Sequence, residues 1–333
     1  MISKLVRGWR ILALGTVVCL GTLGSFAQGN GAAGTAAQAA DAKEWPTFGH
    51  DSGGMRFSPL TQINPTNVGT LSVAWIYHMK QTGDSTGGRG GFGGGVGGGR
   101  GRGAGGGPPD GGPGGGAPGG LDQASAQAAA EGVGPPRVAT GFAISEVTPL
   151  VINGVMYIGT PYGRVTALDP TTGKEIWSYK LATSEPATRG VEYFPGDKLT
   201  PPEIVVGTSD AKLFTLDAKT GALNTTFGVN GIVNLDTPEI THNLEGASDG
   251  LSSPPIMYEN LIILGGKTTE NGGPGPSGDV RAFDVHTGKL VWTFHAIPQP
   301  GEPNYGGWVG DSAKFRSGVN VWGLITVEFW VSY

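Results

Sequence analysis

The residue types that most often carry chemistry are present in this chain, but few have the spacing of a catalytic or metal site. The five histidines are scattered, and no pair has the His-x-x-x-His spacing of a zinc-binding helix. The only cysteine, Cys19, lies in an apolar run, so the rest of the chain has no thiolate nucleophile or disulfide. The net charge of −5 provides no basic field to attract a phosphate backbone, which argues against nucleic acid as a partner.

A short sequence pattern occurs three times in the chain, and the structure it forms must position the residues of any functional site. In Val165–Trp177, alternating residues on either side of Asp169-Pro-Thr-Thr-Gly173 predict two short strands joined by a tight reversal. Aspartate can bond to its own backbone two residues on, and glycine accepts a positive φ. The pattern returns in Arg281–Trp292 and, without the tryptophan, in Phe214–Asn224. The aspartates of the three turns are therefore predicted to be structural residues and not bases: Asp169, Asp217 and Asp284.

The repeat predicts an all-β fold. A single hairpin cannot bury its apolar face, and a repeat spaced by roughly 40 to 50 residues is typical of propeller blades. Further alternating segments at 148–158, 191–194, 203–207, 212–216, 255–258 and 261–264 predict antiparallel meanders. Three ordinary hairpins in a sandwich would also explain the strands, but not the repeated Asp-x-x-Thr-Gly turn. The prediction is a partial β-propeller of antiparallel four-stranded blades.

The motif Ala-x-Asp-x-x-Thr-Gly-Lys-x-x-Trp at 167–177 resembles the tryptophan-docking motif of the pyrroloquinoline quinone (PQQ) dependent dehydrogenases. Residues 44–49, Glu-Trp-Pro-Thr-Phe-Gly, with 56–64 and 71–75, resemble the leading segment of the alcohol and sugar enzymes. Residues 252–284 are similar to the glucose dehydrogenase branch in particular. Similar repeats also occur in non-catalytic propellers, such as a scaffold that helps to assemble outer-membrane proteins.

The resemblance implies an eight-bladed propeller with the quinone on its axis. PQQ is a flat anionic quinone, so its site needs an aromatic face, an arginine and hard oxygen ligands for calcium. By position in matching stretches, the resemblance assigns four residues to the cofactor: Glu146, Arg189, Ser252 and Trp322. It assigns Glu270 and Asn271 to Ca²⁺. The structural alternatives are that Arg189 is a surface arginine, that Trp322 is a core tryptophan and that Glu270-Asn271 is part of a solvated turn.

The resemblance also implies the oxidation of a sugar or alcohol hydroxyl by base-assisted hydride transfer to PQQ, with a quinone or a cytochrome as electron acceptor. In the family the catalytic aspartate follows the Trp-Gly that matches Trp322-Gly323. We therefore expect the N-terminal half of such an enzyme, inactive alone, with the other half of the propeller as one partner. The alternative function is a non-catalytic binding or scaffold module of the cell envelope.

The N-terminus predicts that the protein is exported, and a Gly-rich internal segment predicts an insertion. Lys4, Arg7 and Arg10 precede the apolar run 11–23, the order of a secretory signal peptide, which predicts a periplasmic or secreted protein. Residues 83–120 are almost entirely glycine and cannot bury enough apolar area to offset chain entropy. The predicted organisation is a signal peptide (1–27), a flexible leader (28–43), a segment leading into the propeller and ending in a strand at 71–77 (44–80), a disordered Gly-rich insertion (81–143) and the partial propeller (144–333).

Overall fold

The computed structural model describes residues 44–51, 53–82, 84, 143, 145–269 and 273–327. Within them lie one short helix, α1 (Pro238–Thr241), and 3-10 turns at Val68–Thr70 and Tyr305–Gly307. The strands are β1 (Leu150–Ile152), β2 (Val155–Thr160), β3 (Arg164–Leu168), β4 (Glu175–Lys180), β5 (Glu192–Phe194), β6 (Glu203–Gly207), β7 (Lys212–Asp217), β8 (Val233–Asn234), β9 (Ile256–Tyr258), β10 (Leu261–Leu264), β11 (Val280–Asp284) and β12 (Leu290–Phe294).

These strands form three successive sheets of four. The sheet orders are β1-β2-β3-β4, β5-β6-β7-β8 and β9-β10-β11-β12, and every neighbouring pair is antiparallel. Each sheet is thus a meander of consecutive strands, as the sequence predicts for a blade, and we call the sheets blades 1, 2 and 3. The all-β prediction and the four-stranded blades are confirmed.

The predicted turn residues have the expected role. The Oδ1 of Asp169 accepts hydrogen bonds from the backbone N–H of Thr171, at 2.8 Å, and from the Thr171 hydroxyl, at 2.6 Å. Asp217 and Asp284 each accept a backbone and a hydroxyl bond from the threonine three residues on, Thr220 and Thr287. These bonds fix the reversals between the third strand of each blade and the residues that follow.

Tryptophans dock on these turns. The Nε1 of Trp177, in blade 1, donates to the Ala218 carbonyl of the blade 2 turn at 3.0 Å, and its ring lies against Gly221. A Cβ at Gly221, where φ is +71°, would come within 2.5 Å of the indole. Trp75 makes the same contact with the blade 1 turn, donating to the Pro170 carbonyl at 3.0 Å. The glycine is required both for its positive φ and for the close approach of the ring.

Blade 2 departs from the repeat. After Gly221 the chain makes only an isolated bridge, Leu216 to Leu223, and the outer strand β8 pairs with β7 at two positions further on. The weaker copy predicted at Phe214–Asn224 thus keeps its turn, closed by the bonds from the Asp217 N–H to the Ala222 carbonyl at 2.8 Å and from the Asn224 N–H to the Thr215 carbonyl at 3.0 Å, but it does not continue into an outer strand. Thr225, an exposed residue, stands where the other copies have tryptophan, four residues after the turn glycine. The neighbouring Asn224 Nδ2 donates to Glu203 Oε1 at 2.8 Å.

Two apolar clusters hold the blades together. One joins blades 1 and 2 around Leu150, Trp177, Ile204 and Leu216, and the other joins blades 2 and 3 around Phe227. All of these side chains except Trp177 are completely buried, and Trp177 is 9% exposed. Burial of such side chains is the main contribution to the stability of the blade packing.

The segment leading into blade 1 is held by bridges and side chains. Trp45 pairs with Val151 of β1, but residues 71–77 are extended without a ladder partner among the described residues, so the strand predicted there is wrong. Leu71, Val73 and Ile76 are exposed. On the opposite side of the three blades, the apolar side chains of β12 are exposed as well: Leu290, Val291, Trp292 and Phe294.

The predicted signal peptide (1–27) and leader (28–43) lie outside the described residues, as does most of the Gly-rich insertion (81–143). Two described residues of the insertion are fixed on blade 1. The carboxylate of Asp84 pairs with Arg164 and with Lys180, each at 3.0 Å, and the Ala143 N–H donates to the Tyr162 hydroxyl at 3.1 Å. Among the described residues, no helix is long and apolar enough to span a bilayer.

The two tryptophans of the repeat provide a matched test of docking. We expect Trp177→Ala to reduce the free energy of unfolding by about 3–5 kcal/mol, because it removes a buried ring from the contact between blades. Trp292→Ala should cost about 1–2 kcal/mol, because that ring is 38% exposed. Urea denaturation followed by far-UV circular dichroism measures both changes. Equal losses in the two variants would contradict the docking argument.

Candidate functional site

The candidate cofactor residues lie at one end of the blades. Glu146, Arg189 and Ser252 come shortly before the first strands β1, β5 and β9. Backbone hydrogen bonds join these approaches side by side: the N–H of Thr148 donates to the Arg189 carbonyl, and the N–H of Arg189 donates to the Ser252 carbonyl, both at 3.1 Å. Equivalent positions of three blades are thereby brought together. The repeat explains this convergence, because each blade places the same part of its chain at the same end.

Arg189 is the centre of the cluster. Its Nε lies 3.2 Å from Glu146 Oε2, and one terminal nitrogen lies 3.4 Å from Ser252 Oγ. Its Cζ lies 5.0 Å from the centroid of the Trp322 ring, within the range of a cation–π contact. The structure therefore brings together all four residues that the resemblance assigns to the cofactor. We call Glu146, Arg189, Ser252 and Trp322 the Arg189 cluster.

Ser253 belongs to the same arrangement and was missed by the sequence analysis. The Arg189 terminal nitrogen donates to Ser253 Oγ at 3.1 Å, a shorter contact than the one to Ser252. Ser253 Oγ in turn donates to the Trp322 carbonyl at 2.8 Å. Ser253 is 7% exposed, so it holds the backbone of Trp322 in place from within the protein. The adjacent pair in Ser252-Ser253 is the signal that could have drawn attention to it.

The donor set of the cluster matches a flat anionic ring. The side chain of Arg189 is 17% exposed and that of Glu146 is 40% exposed, so a ligand can reach both. The indole of Trp322 is 40% exposed and provides an aromatic surface. A small cavity of about 100 Å³ adjoins Ser252 and is also lined by Ser145, Thr188 and Lys267. A guanidinium, hydroxyls, a lysine and an indole are the groups that a quinone with carboxylates requires.

The residues predicted to bind calcium, Glu270 and Asn271, lie outside the described residues. Within the described part of the chain, no group of three or more His, Cys, Asp or Glu side chains could hold a metal ion. The metal ligands therefore stay a prediction.

A buried carboxyl lies beside the cluster in sequence. Glu192, on β5, is 3% exposed, and its Oε2 accepts a hydrogen bond from the Thr47 hydroxyl at 2.8 Å. Burial raises the pKa of Glu192 to about 8, and the bond from Thr47 offsets only part of that effect. Asp51 and Arg56 line the same small cavity as Glu192. Glu192 therefore ties the segment that leads into blade 1 to the first strand of blade 2.

Consecutive four-stranded antiparallel blades, with a tryptophan of one blade docked on the turn of the next, define a β-propeller architecture. The family model described as "PQQ: Glucose/ethanol/alcohol dehydrogenase, beta-propeller domain" matches residues 45–91 and 127–329. The chain belongs to this family of PQQ-dependent dehydrogenases.

Relatives agree with this assignment. The chain is 30% identical to the quinoprotein glucose dehydrogenase of Escherichia coli (strain K12) over 79% of its length and 28% of that protein. It is 29% identical to the dehydrogenase subunit of the alcohol dehydrogenase (quinone) of Gluconacetobacter polyoxogenes over 94% of its length and 34% of that protein. The chain thus spans about a third or less of the relatives that it matches.

A solved structure is similar in fold. The quinohemoprotein alcohol dehydrogenase from Pseudomonas putida HK5 is 24% identical, with a TM-score of 0.50. The similarity covers 80% of this chain and 29% of that one. At this level of identity the comparison supports the propeller fold alone.

Glu192 makes stability depend on pH in a defined direction. The folded chain keeps the Glu192 proton up to about pH 8, whereas an unfolded glutamate releases it near pH 4.5. The folded state therefore binds more protons across this window, and stability falls as the pH rises from about 4.5 to 8. Glu192→Gln should remove this contribution, on the order of a few kcal/mol.

Urea denaturation of wild type and Glu192→Gln at pH 5 and pH 9 measures the effect. The wild type should lose more stability between the two pH values than the variant does. Glu245→Gln, at an exposed position, is the control and should follow the wild type. An equal pH dependence in all three chains would show that Glu192 is ionised in the folded state.

Proposed function

We propose that this chain is the cofactor-binding N-terminal part of a PQQ-dependent dehydrogenase and that it binds PQQ at the Arg189 cluster. The observation that carries the proposal is the convergence of Glu146, Ser252 and Trp322 on Arg189. Three blades contribute to this one arrangement, and a structural arginine in a solvated loop would not need partners from all of them. Family membership supplies the identity of the cofactor.

Each side chain has a task that follows from its contacts. Arg189 supplies a positive charge for cofactor oxygens, and its partner Glu146, which is 40% exposed, sets where the guanidinium lies. Trp322 supplies the aromatic surface, and the bond from Ser253 to its carbonyl fixes the backbone that bears it. Ser252 offers a hydroxyl at the open side of the cluster. PQQ, when bound, accepts a hydride from the carbon that bears the substrate hydroxyl.

The remaining parts of the proposal come from the family. Glu270 and Asn271 would provide oxygen ligands for Ca²⁺, a hard cation that takes carboxylate and amide oxygens. The substrate class is a sugar or an alcohol, and the electron acceptor is a quinone or a cytochrome. The predicted signal peptide supports a location in the periplasm. A further polypeptide that completes the propeller is the partner that would cover the exposed Trp292 and Phe294 of β12.

We propose further that the chain alone does not turn over. The only carboxylate in the Arg189 cluster, Glu146, is ion-paired with the guanidinium and does not serve as a free base. Hydride transfer from an alcohol requires a base to take the hydroxyl proton. Binding of the cofactor and oxidation of a substrate are therefore separable in this chain.

Cofactor binding is tested by titrating the chain with PQQ in the presence of Ca²⁺ and monitoring the absorbance of the quinone. We expect saturable binding, and Arg189→Met should weaken it by roughly tenfold or more, because a charge-assisted hydrogen bond is lost. Lys219→Met removes one positive charge at an exposed turn and is the matched control. Unchanged affinity in Arg189→Met would contradict the assignment.

Dye reduction with sugars and alcohols distinguishes the enzyme from the alternative. Saturable PQQ binding without dye reduction supports a cofactor-binding part that lacks its base. Dye reduction by the purified chain would disprove the claim that it is inactive alone. The absence of PQQ binding in a folded chain would favour the non-catalytic scaffold module of the cell envelope.

A further inference from the structure

A second concave site lies between blades 2 and 3 and shares no residue with the Arg189 cluster. We call it the rim groove. It has a volume of about 660 Å³, within the range of about 300–1,000 Å³ in which small-molecule sites fall. Its apolar walls are Val233, Ile240, Phe283 and Leu290, and its polar groups include Glu239, His242, Asp279, Arg281, Thr293 and His295.

The rim groove exists because blade 2 has a short outer strand. β8 pairs with β7 only through Lys212–Asn234 and Leu213–Val233, whereas β4 and β12 pair with their neighbours over most of their length. The facing side of blade 3 is thus left open. On that side Arg281 and Phe283 alternate along β11, and Thr293 of β12 stands directly opposite Arg281 in the register.

The groove contains polar side chains that are more than nine-tenths buried. Arg281 is 2% exposed and Asp279 is 5% exposed. The terminal nitrogens of Arg281 donate to the Leu235 carbonyl at 2.8 Å and to Asp249 at 2.7 Å. Its Nε is buried and has no hydrogen-bond partner within the described part of the chain.

The charges of the groove select the class of ligand. The guanidinium of Arg281 is engaged by Asp249, 2.7 Å away, and is not directed at a ligand. Asp279 and Glu239 remain, so the groove disfavours an anion such as PQQ. Asp279 Oδ1 accepts one bond from the Ala296 N–H at 2.9 Å, and a carboxylate can accept several more. A suitable ligand must donate to carboxylates, accept from Thr293, and present an apolar face to Phe283 and Leu290.

We propose that the rim groove binds a neutral polyhydroxylated ligand, of the size of a disaccharide, at a site separate from cofactor binding. Hydroxyl groups donate and accept in the same ligand, and the C–H face of a sugar ring packs on apolar walls. This inference does not depend on the proposed function, because it rests on blade packing and on the buried polar groups of blade 3.

Isothermal titration with maltose and with cellobiose tests the proposal, with inorganic phosphate as an anionic comparison. We expect saturable binding of at least one disaccharide and none of phosphate. Thr293→Val should weaken binding by roughly three- to tenfold, and Asp279→Asn by a similar factor or more. Thr225→Val, at an exposed position outside the groove, should leave it unchanged. The affinity for PQQ should be the same in all of these variants.

Two results would overturn the proposal. One is the absence of saturable binding of either disaccharide to a chain shown to be folded by circular dichroism. The other is disaccharide binding that Arg189→Met abolishes while Thr293→Val leaves it intact, which would place the sugar at the Arg189 cluster. If Asp279→Asn fails to fold, Thr293→Val still decides the matter, because Thr293 is partly exposed and its replacement keeps the shape.

Discussion

The contact of a tryptophan ring with the glycine of the following turn is the interaction on which the blade arrangement depends. A sheet of four short strands has two faces to bury, and it buries them only against neighbouring sheets. Trp177 satisfies its N–H at the Ala218 carbonyl and packs on Gly221, so one side chain supplies both apolar contact and a directed hydrogen bond. The bond fixes the angle between blades as well as their separation.

The packing of the blades brings the residues of the candidate cofactor site together. The approaches to β1 and β5 are joined by a backbone hydrogen bond between Thr148 and Arg189, and the same bond recurs between Arg189 and Ser252. Side chains contributed by different blades then meet at Arg189 without any close spacing in the sequence. A change in blade packing would separate them, so the docking tryptophans act on the site from a distance.

The sequence was informative where local chemistry decides structure. The Asp-x-x-Thr-Gly turns and most of the strands could be predicted, because alternation and turn residues act over a few positions. Arg189 and Trp322 could be assigned through the resemblance, although their contact could not, since it depends on how three blades meet. Ser253 was missed because its role arises from a contact with the Trp322 carbonyl, which leaves no pattern in the sequence.

The predicted strand at 71–77 failed for a related reason. Its alternation is real, but a strand also needs a neighbour to pair with, and no described residue provides one. The weaker copy at Phe214–Asn224 keeps its turn but pairs no further than the bridge from Leu216 to Leu223. Where the other copies have tryptophan this copy has Thr225, and the outer strand β8 forms only further along the chain.

The departure of blade 2 shows how one substitution in a repeat changes the surface. With Thr225 at the tryptophan position, the blade 3 turn at Gly288 packs instead against Val233 and the backbone of Gly228. The chain needs the residues between Asn224 and Val233 to reach that position, and Phe227, completely buried, fills the space on the way. The outer strand β8 therefore has only two residues, Val233 and Asn234. The opening beside Arg281 therefore follows from the same loss that interrupts the repeat, whereas the Arg189 cluster lies where the repeat is retained.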